Sequence, residues 1–444
     1  MKRIGKELRK VSALTFMIGL LLSGCSTPKA TVDPKDLSYL YNPLRNSINP
    51  RYKIVNQTDE LSVLAVKFIG SELFFSEANP SGIPTASMFI SVRLFNVSQG
   101  RILADTAFYD LDIIRDRVRD EYLYKIPLNV EKGTEYVTDV KVYDKIRQVM
   151  VQSFVPFNTN SDNNRYNFFL RGHNRQNEVL LPIIKKNEFF NLVYAKGNLD
   201  SIFISVYKPY KEIPYPPSMV LPEKPGATEP DTVVALPYSD TLPLMFPKEG
   251  IYFCTTGRDI KEGFSLLNFG TEYPGMNDPS VMIEPLAYLV SPDEMAVLKT
   301  DPRPKIALDN FWIKCGGNID KARELIRIFY TRVVYADYYF TSYKEGWRTD
   351  RGMIYIIYGP PDKLYKSNEE ENWGYRRPVA KSKWGSRYTV EEEYLFFSFK
   401  KRESLFSDNE YSLSRSETVI TYWDKAVLAW RKGVVFRLDN PDEF

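Results

Sequence analysis

The chain has 444 residues, enough for two to four domains with separate cores. Hydrophobic residues make up 43% and aromatics 14%, which excludes a disordered chain, and 30 tyrosines with 27 phenylalanines suit pleated surfaces. The net charge of +3 comes from the N-terminus: beyond residue 24 the balance is 54 basic against 55 acidic side chains, too even to gather nucleic acid.

Residues 1–24 predict a leader. A basic start with Lys2, Arg3, Lys6, Arg9 and Lys10 precedes a short apolar run, Val11–Leu22, that is too short to span a bilayer comfortably. The run ends in Leu22-Ser23-Gly24-Cys25, which resembles a bacterial lipobox, so Cys25 is the predicted lipidation site and the link to a membrane. Ser26 stands where an inner-membrane retention signal would place aspartate, and Ser26–Lys35 lacks an acidic export cluster. The expectation is a lipid anchor on the outer membrane, facing the periplasm, with residues 25–36 as tether.

Residues 37–157 alternate apolar and polar side chains over Leu61–Phe68, Ser87–Phe95, Ile102–Ile113, Tyr122–Val130 and Tyr136–Val155, separated by turn-forming residues. This predicts an Ig-like β-sandwich. The polar run Asn158–Asn164 marks a boundary, and residues 158–270 predict a second sandwich from Tyr166–Leu170, Val179–Ile184, Phe189–Tyr194, Ser201–Tyr207, Thr232–Leu236 and Ile251–Cys254. Within it, Pro209, Pro214, Pro216, Pro217, Pro222, Pro225 and Pro230 forbid helix. They favour a stiff loop joining strands of that sandwich over a docking strip for a partner groove.

Residues 271–444 predict an α+β domain. Ser291-Pro292-Asp293-Glu294 opens a short helix that Asp301-Pro302-Arg303-Pro304 breaks. Asn318 then caps a long helix with an apolar stripe at Ile319, Ala322, Ile326, Phe329, Val333, Ala336 and Phe340, leaving Lys321, Arg323, Arg327 and Arg332 elsewhere on its surface. It runs toward Gly346-Trp347-Arg348-Thr349-Asp350-Arg351-Gly352, and Met353–Tyr358 reads as a strand ended by Gly359-Pro360-Pro361-Asp362. Further strands are predicted at Trp373–Arg376, Glu393–Lys400 and Tyr411–Ser414, and a last helix at Tyr422–Trp430 before Gly433.

In these residues the sequence resembles the GWxTD-domain proteins of bacterial exported lipoproteins, over roughly Pro302–Arg437. The resemblance implies a fold unit and an envelope location, not a reaction. Physically, Gly346 suits a left-handed helix end and Trp347 a buried position. Thr349 and Asp350 suit bonds to turn amides, and Gly352 suits entry to a strand. Gly359, Pro360 and Asp362 suit a sharp stop. Turn chemistry thus accounts for these residues, the alternative being a ligand site at Asp350, Arg351 and Asp362.

Other chemistry is sparse. His173, the single histidine, lies in a polar loop pattern, and no phosphate loop, dinucleotide fingerprint or nucleophile elbow is present. Glu369–Glu371 and Glu391–Glu393 read as solvated charge runs. Cys254 and Cys315 suit small buried thiols better than a bridge. No cofactor, metal or catalytic residue is predicted. The reading that emerges is an outer-membrane lipoprotein acting as a non-enzymatic scaffold or accessory subunit of a secretion or outer-membrane biogenesis assembly, with an envelope protein as partner. The alternatives are a carboxylate-based glycan- or peptidoglycan-active enzyme, with a cleft lined by Asp350, Asp362 and Trp373, and a glycan-binding protein.

Overall fold

A computed structural model describes residues 36–43, 48–77, 82–116, 118, 120–173, 178–197, 199–217, 229–377, 382–384, 387–389 and 393–438. The predicted leader, Cys25, Pro222, Pro225, Glu391 and Glu392 lie outside them.

The N-terminal region is built of antiparallel sheets. Strands β1 (Arg51–Asn56), β2 (Leu61–Ile69) and β5 (Glu121–Asn129) form one, in the order β1-β2-β5. Strands β3 (Thr85–Asn96), β4 (Ile102–Ile114), β6 (Glu135–Asp144) and β7 (Val149–Asn158) form the other, in the order β4-β3-β6-β7. Period-two alternation puts Ala86, Met88, Ile90, Val92 and Leu94 of β3 on one face, fully buried, where they share a core with Leu64, Val66 and Phe68 of β2. The stretch read as Tyr136–Val155 is two strands, folded back through a turn where Gln148 takes φ 56°. Strand β1 has only three buried residues in a row and no clean alternation, which hid it from the pattern.

Two further sheets follow. Strands β8 (Phe168–Gly172), β9 (Glu178–Val179), β10 (Phe190–Tyr194) and β13 (Pro243–Leu244) pair as β13-β10-β8-β9. Strands β11 (Ser201–Tyr207), β12 (Thr232–Pro237), β14 (Gly250–Thr255) and β15 (Phe264–Asn268) pair as β12-β11-β14-β15. Phe168, Leu170 and Leu192 of the first share a core with Ile204, Cys254 and Leu266 of the second. Because β11 and β12 are direct neighbours, the proline-rich segment between them is an excursion. Its described part does not stay within its own sheets: Ile213 packs on the C-terminal core, and the carbonyls of Lys211 and Tyr215 accept from Arg348 and Arg415. A chain already fixed in extended form by proline loses little entropy on lying there.

The C-terminal region is α+β. Helices α1 (Pro279–Ile283), α2 (Pro292–Thr300), α3 (Pro304–Gly316) and α4 (Ile319–Phe340) lead to α5 (Asp350–Tyr358). Strands β16 (Lys363–Lys366), β17 (Glu370–Arg377), β20 (Glu393–Lys401) and β21 (Tyr411–Leu413) form a sheet in that order, and β18 (Ser382–Trp384) pairs with β19 (Arg387–Thr389). Helix α6 (Glu417–Arg431) closes the region. Ser291 and Glu294 make a reciprocal capping box on α2, and the Asn318 side chain accepts from the Lys321 amide at the start of α4. The α4 stripe buries Ala322, Phe329, Val333, Ala336 and Phe340, while Ile319 at its tip is 57% exposed. Arg332 is not a plain surface residue: its guanidinium donates to the carbonyls of Ile356 and Ile357 at the end of α5.

The strand expected at Val179–Ile184 is confined to Glu178–Val179, and another strand expectation is overturned outright. Met353–Tyr358 belongs to α5, all nine of whose residues are buried. A run rich in isoleucine and tyrosine favours a strand locally, but Thr349 supplies an N-cap, its hydroxyl accepting from the Gly352 amide at 3.0 Å. A helix apolar on every side is stable once it is enclosed on every side. Among the described residues, no helix is long and apolar enough to cross a membrane.

Candidate functional site

The motif builds a packed corner between α4, α5 and the sheet. Gly346 is not left-handed, as a helix terminator would be. It lies against α4 so closely that a Cβ there would sit 2.0 Å from the Ala336 carbonyl oxygen. Gly352 does not introduce a strand but sits in the first turn of α5, where a Cβ would meet the Gly346 carbonyl oxygen at 2.0 Å. Both glycines permit contact of backbone on backbone, which no side chain could allow.

Trp347 is fully buried, its amide donating to Asp337 Oδ1 at 3.0 Å and its carbonyl accepting from the Tyr288 hydroxyl at 2.7 Å. Arg348 lies 4.0 Å over its ring and pairs with Glu345 and Glu284. Thr349 donates to the Gly346 carbonyl at 2.7 Å while capping α5. Asp350 reaches across to β21 instead of a neighbouring turn amide: Oδ2 accepts from the Leu413 amide at 2.8 Å, and Oδ1 lies 3.3 Å from Arg415. Burial raises the Asp350 carboxyl despite Arg415. Burial likewise raises Asp337 far above the ordinary carboxylate range, with Glu345 adding to it.

Arg351 is 1% exposed and Glu371 is 0% exposed. Their side chains meet at 3.1 Å, and Glu371 Oε1 also accepts from Lys366 at 2.8 Å and from the Tyr41 hydroxyl at 2.9 Å. The other Glu371 oxygen accepts from the Trp373 indole at 3.1 Å. Arg351 additionally donates to the Asn409 carbonyl and side chain, and stacks 4.0 Å over Tyr411. Burial would raise the Glu371 carboxyl, but Lys366 and Arg351 outweigh it and hold it down to about 2. The acidic run at Glu369 is therefore not simply solvated, because its third member is the buried centre of a charge network.

Tyr41 brings a distant segment into this network. Its ring packs on Phe340 and Trp373, and the Tyr355 hydroxyl donates to its carbonyl at 2.9 Å. The Leu37 amide donates to the Leu364 carbonyl at 2.8 Å. Residues just after the predicted tether are thus seated in the C-terminal core.

At the far end of α5, Gly359 takes φ 85° and its carbonyl accepts from the Tyr375 hydroxyl. Pro360 is half-buried and ends the helix with the buried Pro361, and Asp362 Oδ2 accepts from the Arg376 amide at 2.9 Å. The cleft anticipated for Asp350, Asp362 and Trp373 is not formed, since Trp373 is fully buried. A cavity of about 770 Å³ lies elsewhere, lined among others by Glu135, Glu370, Lys400, Arg402 and Asp408.

His173 is exposed, with Nδ1 3.2 Å from Asn191 Oδ1. Cys254 and Cys315 are separate buried thiols. Among the described residues, no three His, Cys, Asp or Glu side chains converge as a metal site. Sequence reasoning missed Glu371, Tyr41 and Asp337. For Glu371 a signal existed: it lies two residues from Trp373 on one strand, so both share a face.

Residues 250–432 match the GWxTD domain family. The match begins at β14, ahead of residue 271. No curated protein matches the chain.

Proposed function

We infer that the chain is a lipoprotein attached through Cys25 to the outer membrane, facing the periplasm, and that it works as a non-enzymatic scaffold or accessory subunit of an envelope assembly. The observation that carries the non-enzymatic part is the fate of the motif's charges. Arg348, Asp350 and Arg351 are all buried and each is held by partners within the chain, away from any open cleft. Groups that act on a substrate stand at a cleft with bonding capacity in reserve.

The anchor rests on the residues up to Cys25, and the seating of Leu37 and Tyr41 gives such an anchor a rigid point of attachment. The four N-terminal sheets, with a common core for each pair, support a reading as two Ig-like sandwiches. Such modules present edges and loops for protein partners.

The test is purification of a tagged chain from crosslinked native envelopes, with co-purifying proteins identified by mass spectrometry. A reproducible envelope partner, lost when Cys25→Ser releases the chain from the membrane, supports the reading. A chain recovered alone after crosslinking overturns it.

A further inference from the structure

The proline-rich excursion between β11 and β12 is held on the C-terminal region by residues of the motif's own face. Arg348 Nη1 donates to the Lys211 carbonyl at 2.8 Å, and Arg415 Nη2 donates to the Tyr215 carbonyl at 3.1 Å. Between these two clamps, Ile213 packs on the C-terminal core. Ahead of them the Tyr210 ring meets Tyr343 edge-on, 5.4 Å between centroids, with Lys344 5.2 Å from the centre of the Tyr210 ring. The guanidiniums are oriented independently of the segment, Arg348 by Glu345 and Glu284 and Arg415 by Asp350 of the motif.

These are the contacts of a peptide site. Two guanidiniums read main-chain carbonyls, one apolar side chain inserts and aromatic rings line the entrance, as in grooves that take polyproline-type ligands. Pro209, Pro214, Pro216 and Pro217 keep the segment extended, so docking costs it little entropy. Lys211 and Glu212 stay exposed, as residues of a ligand lying on a surface do. The match to the GWxTD family separates the two sides of the contact. Tyr343, Lys344, Arg348 and Arg415 lie within residues 250–432, whereas residues 209–217 lie outside. The groove belongs to the domain, and its occupant comes from beyond it.

We propose that this face of the domain is a binding groove for extended, proline-rich peptide segments. Residues 209–217 fill it in the resting chain, and a partner protein's segment of the same chemistry displaces them. The seated segment defines that chemistry: an extended backbone in which prolines flank an isoleucine and tyrosines. That a partner supplies the competing segment rests on the scaffold reading above. The groove itself is tested without any partner, so either can fail alone.

Trypsin reports whether the segment is seated. Lys208 precedes proline and resists cleavage, while the Lys211–Glu212 bond carries the carbonyl that Arg348 holds. The probe is a synthetic peptide of residues 208–217 carrying Lys211→Gln, which trypsin spares. It forgoes only the half-exposed pair of Lys211 with Glu249, which contributes little. The tethered segment competes at an effective concentration on the order of millimolar, so the peptide is titrated through that range.

In the detergent-solubilised full chain, cleavage after Lys211, followed by mass spectrometry, accelerates severalfold with this peptide. A peptide that also carries Ile213→Asp has no effect. Ile213→Asp in the chain loosens the tethered segment, so labelled peptide binds that variant more tightly than the parent by fluorescence anisotropy. Arg415→Lys in the same background keeps a cation for Asp350 but loses the planar fork, and weakens the peptide. Melting temperatures confirm intact folds, and where a variant fails to fold the parent's cleavage decides alone. Cleavage in the parent that the peptide leaves unchanged, with no binding to the Ile213→Asp chain, overturns the proposal. Equal action by the two peptides overturns it as well. A chain that dimerises with concentration and is dispersed by the peptide overturns the partner protein as occupant, and seats a second copy's segment there instead.

Discussion

Arg351 and Glu371 form an ion pair at 3.1 Å with both side chains essentially shut off from solvent. One comes from the first turn of α5 and the other from β17, so the pair joins helix to sheet through the motif's own arginine. Removing one partner leaves a buried charge without compensation, which costs about 3–5 kcal/mol. Glu371→Gln is therefore strongly destabilising, since Arg351 and Lys366 both lose their counter-charge. Arg351→Met combined with Glu371→Leu costs less than the sum of the two single changes. All six tryptophans lie between Trp312 and Trp430, so denaturation followed by tryptophan fluorescence reads this region alone.

Two carboxyls in the motif's surroundings titrate with opposite sign. Glu371 is held down to about 2, so its contribution is present above the unfolded value of 4.5 and is lost as pH falls toward 2. Asp337 is raised well above its unfolded value of 3.8, so its contribution is complete below that value and declines as pH rises toward the folded pKa. Asp337→Asn keeps an oxygen for the Trp347 amide and removes the ionisation. The variant is expected to match the parent near pH 4 and to exceed it in stability at higher pH. Urea midpoints at several pH values check this, and an Asp337→Asn curve that falls with pH as the parent's does would count against it.

Close approach, and not backbone angle, dictates the motif glycines. Gly317 has φ 74° with nothing within 4 Å of a Cβ, so Gly317→Ala costs about 1–2 kcal/mol from the left-handed backbone alone. Gly346→Ala forces a Cβ into the Ala336 carbonyl and costs more, at or beyond the ~3 kcal/mol end of overpacking. Gly352→Ala behaves like Gly346→Ala. Melting temperatures of the three variants give the ranking.

Tyr41 ties the segment after the tether to the C-terminal core. Tyr41→Phe loses one bond to a charged acceptor, about 1.5–3 kcal/mol. Tyr41→Ala also loses the ring packed on Phe340 and Trp373, about 3–5 kcal/mol. Limited proteolysis should open the chain before Ile48 in Tyr41→Ala but not in Tyr41→Phe.

Local signals in the sequence carried much of this fold. The alternation of β3 and the cap at Asn318 were legible because each is local and each matches its long-range setting. Helix α5 was not, because a segment buried on every side has no period to read, and its isoleucines and tyrosines favour a strand. Helix α3 went unseen because Pro302 and Pro304 read as a break, although Pro304 stands at the first helical position, where proline is favoured. At the motif, the residues were found but their partners were not. Asp350 bonds to Leu413, and Arg351 to Glu371 and Asn409, contacts that span 20 to 63 residues and leave no local trace.

The central claim is that the motif holds the C-terminal region together instead of serving an open reaction site. Hydrogen exchange resolved to single amides tests it most directly, because exchange measures how readily each bond opens. The amides of Trp347, Gly352 and Leu413 donate to Asp337, Thr349 and Asp350. The account predicts that these three are among the slowest in the molecule, exchanging only when the region unfolds. Exchange at those amides as fast as in exposed loops would contradict it and would return the motif to the class of mobile, ligand-ready sites.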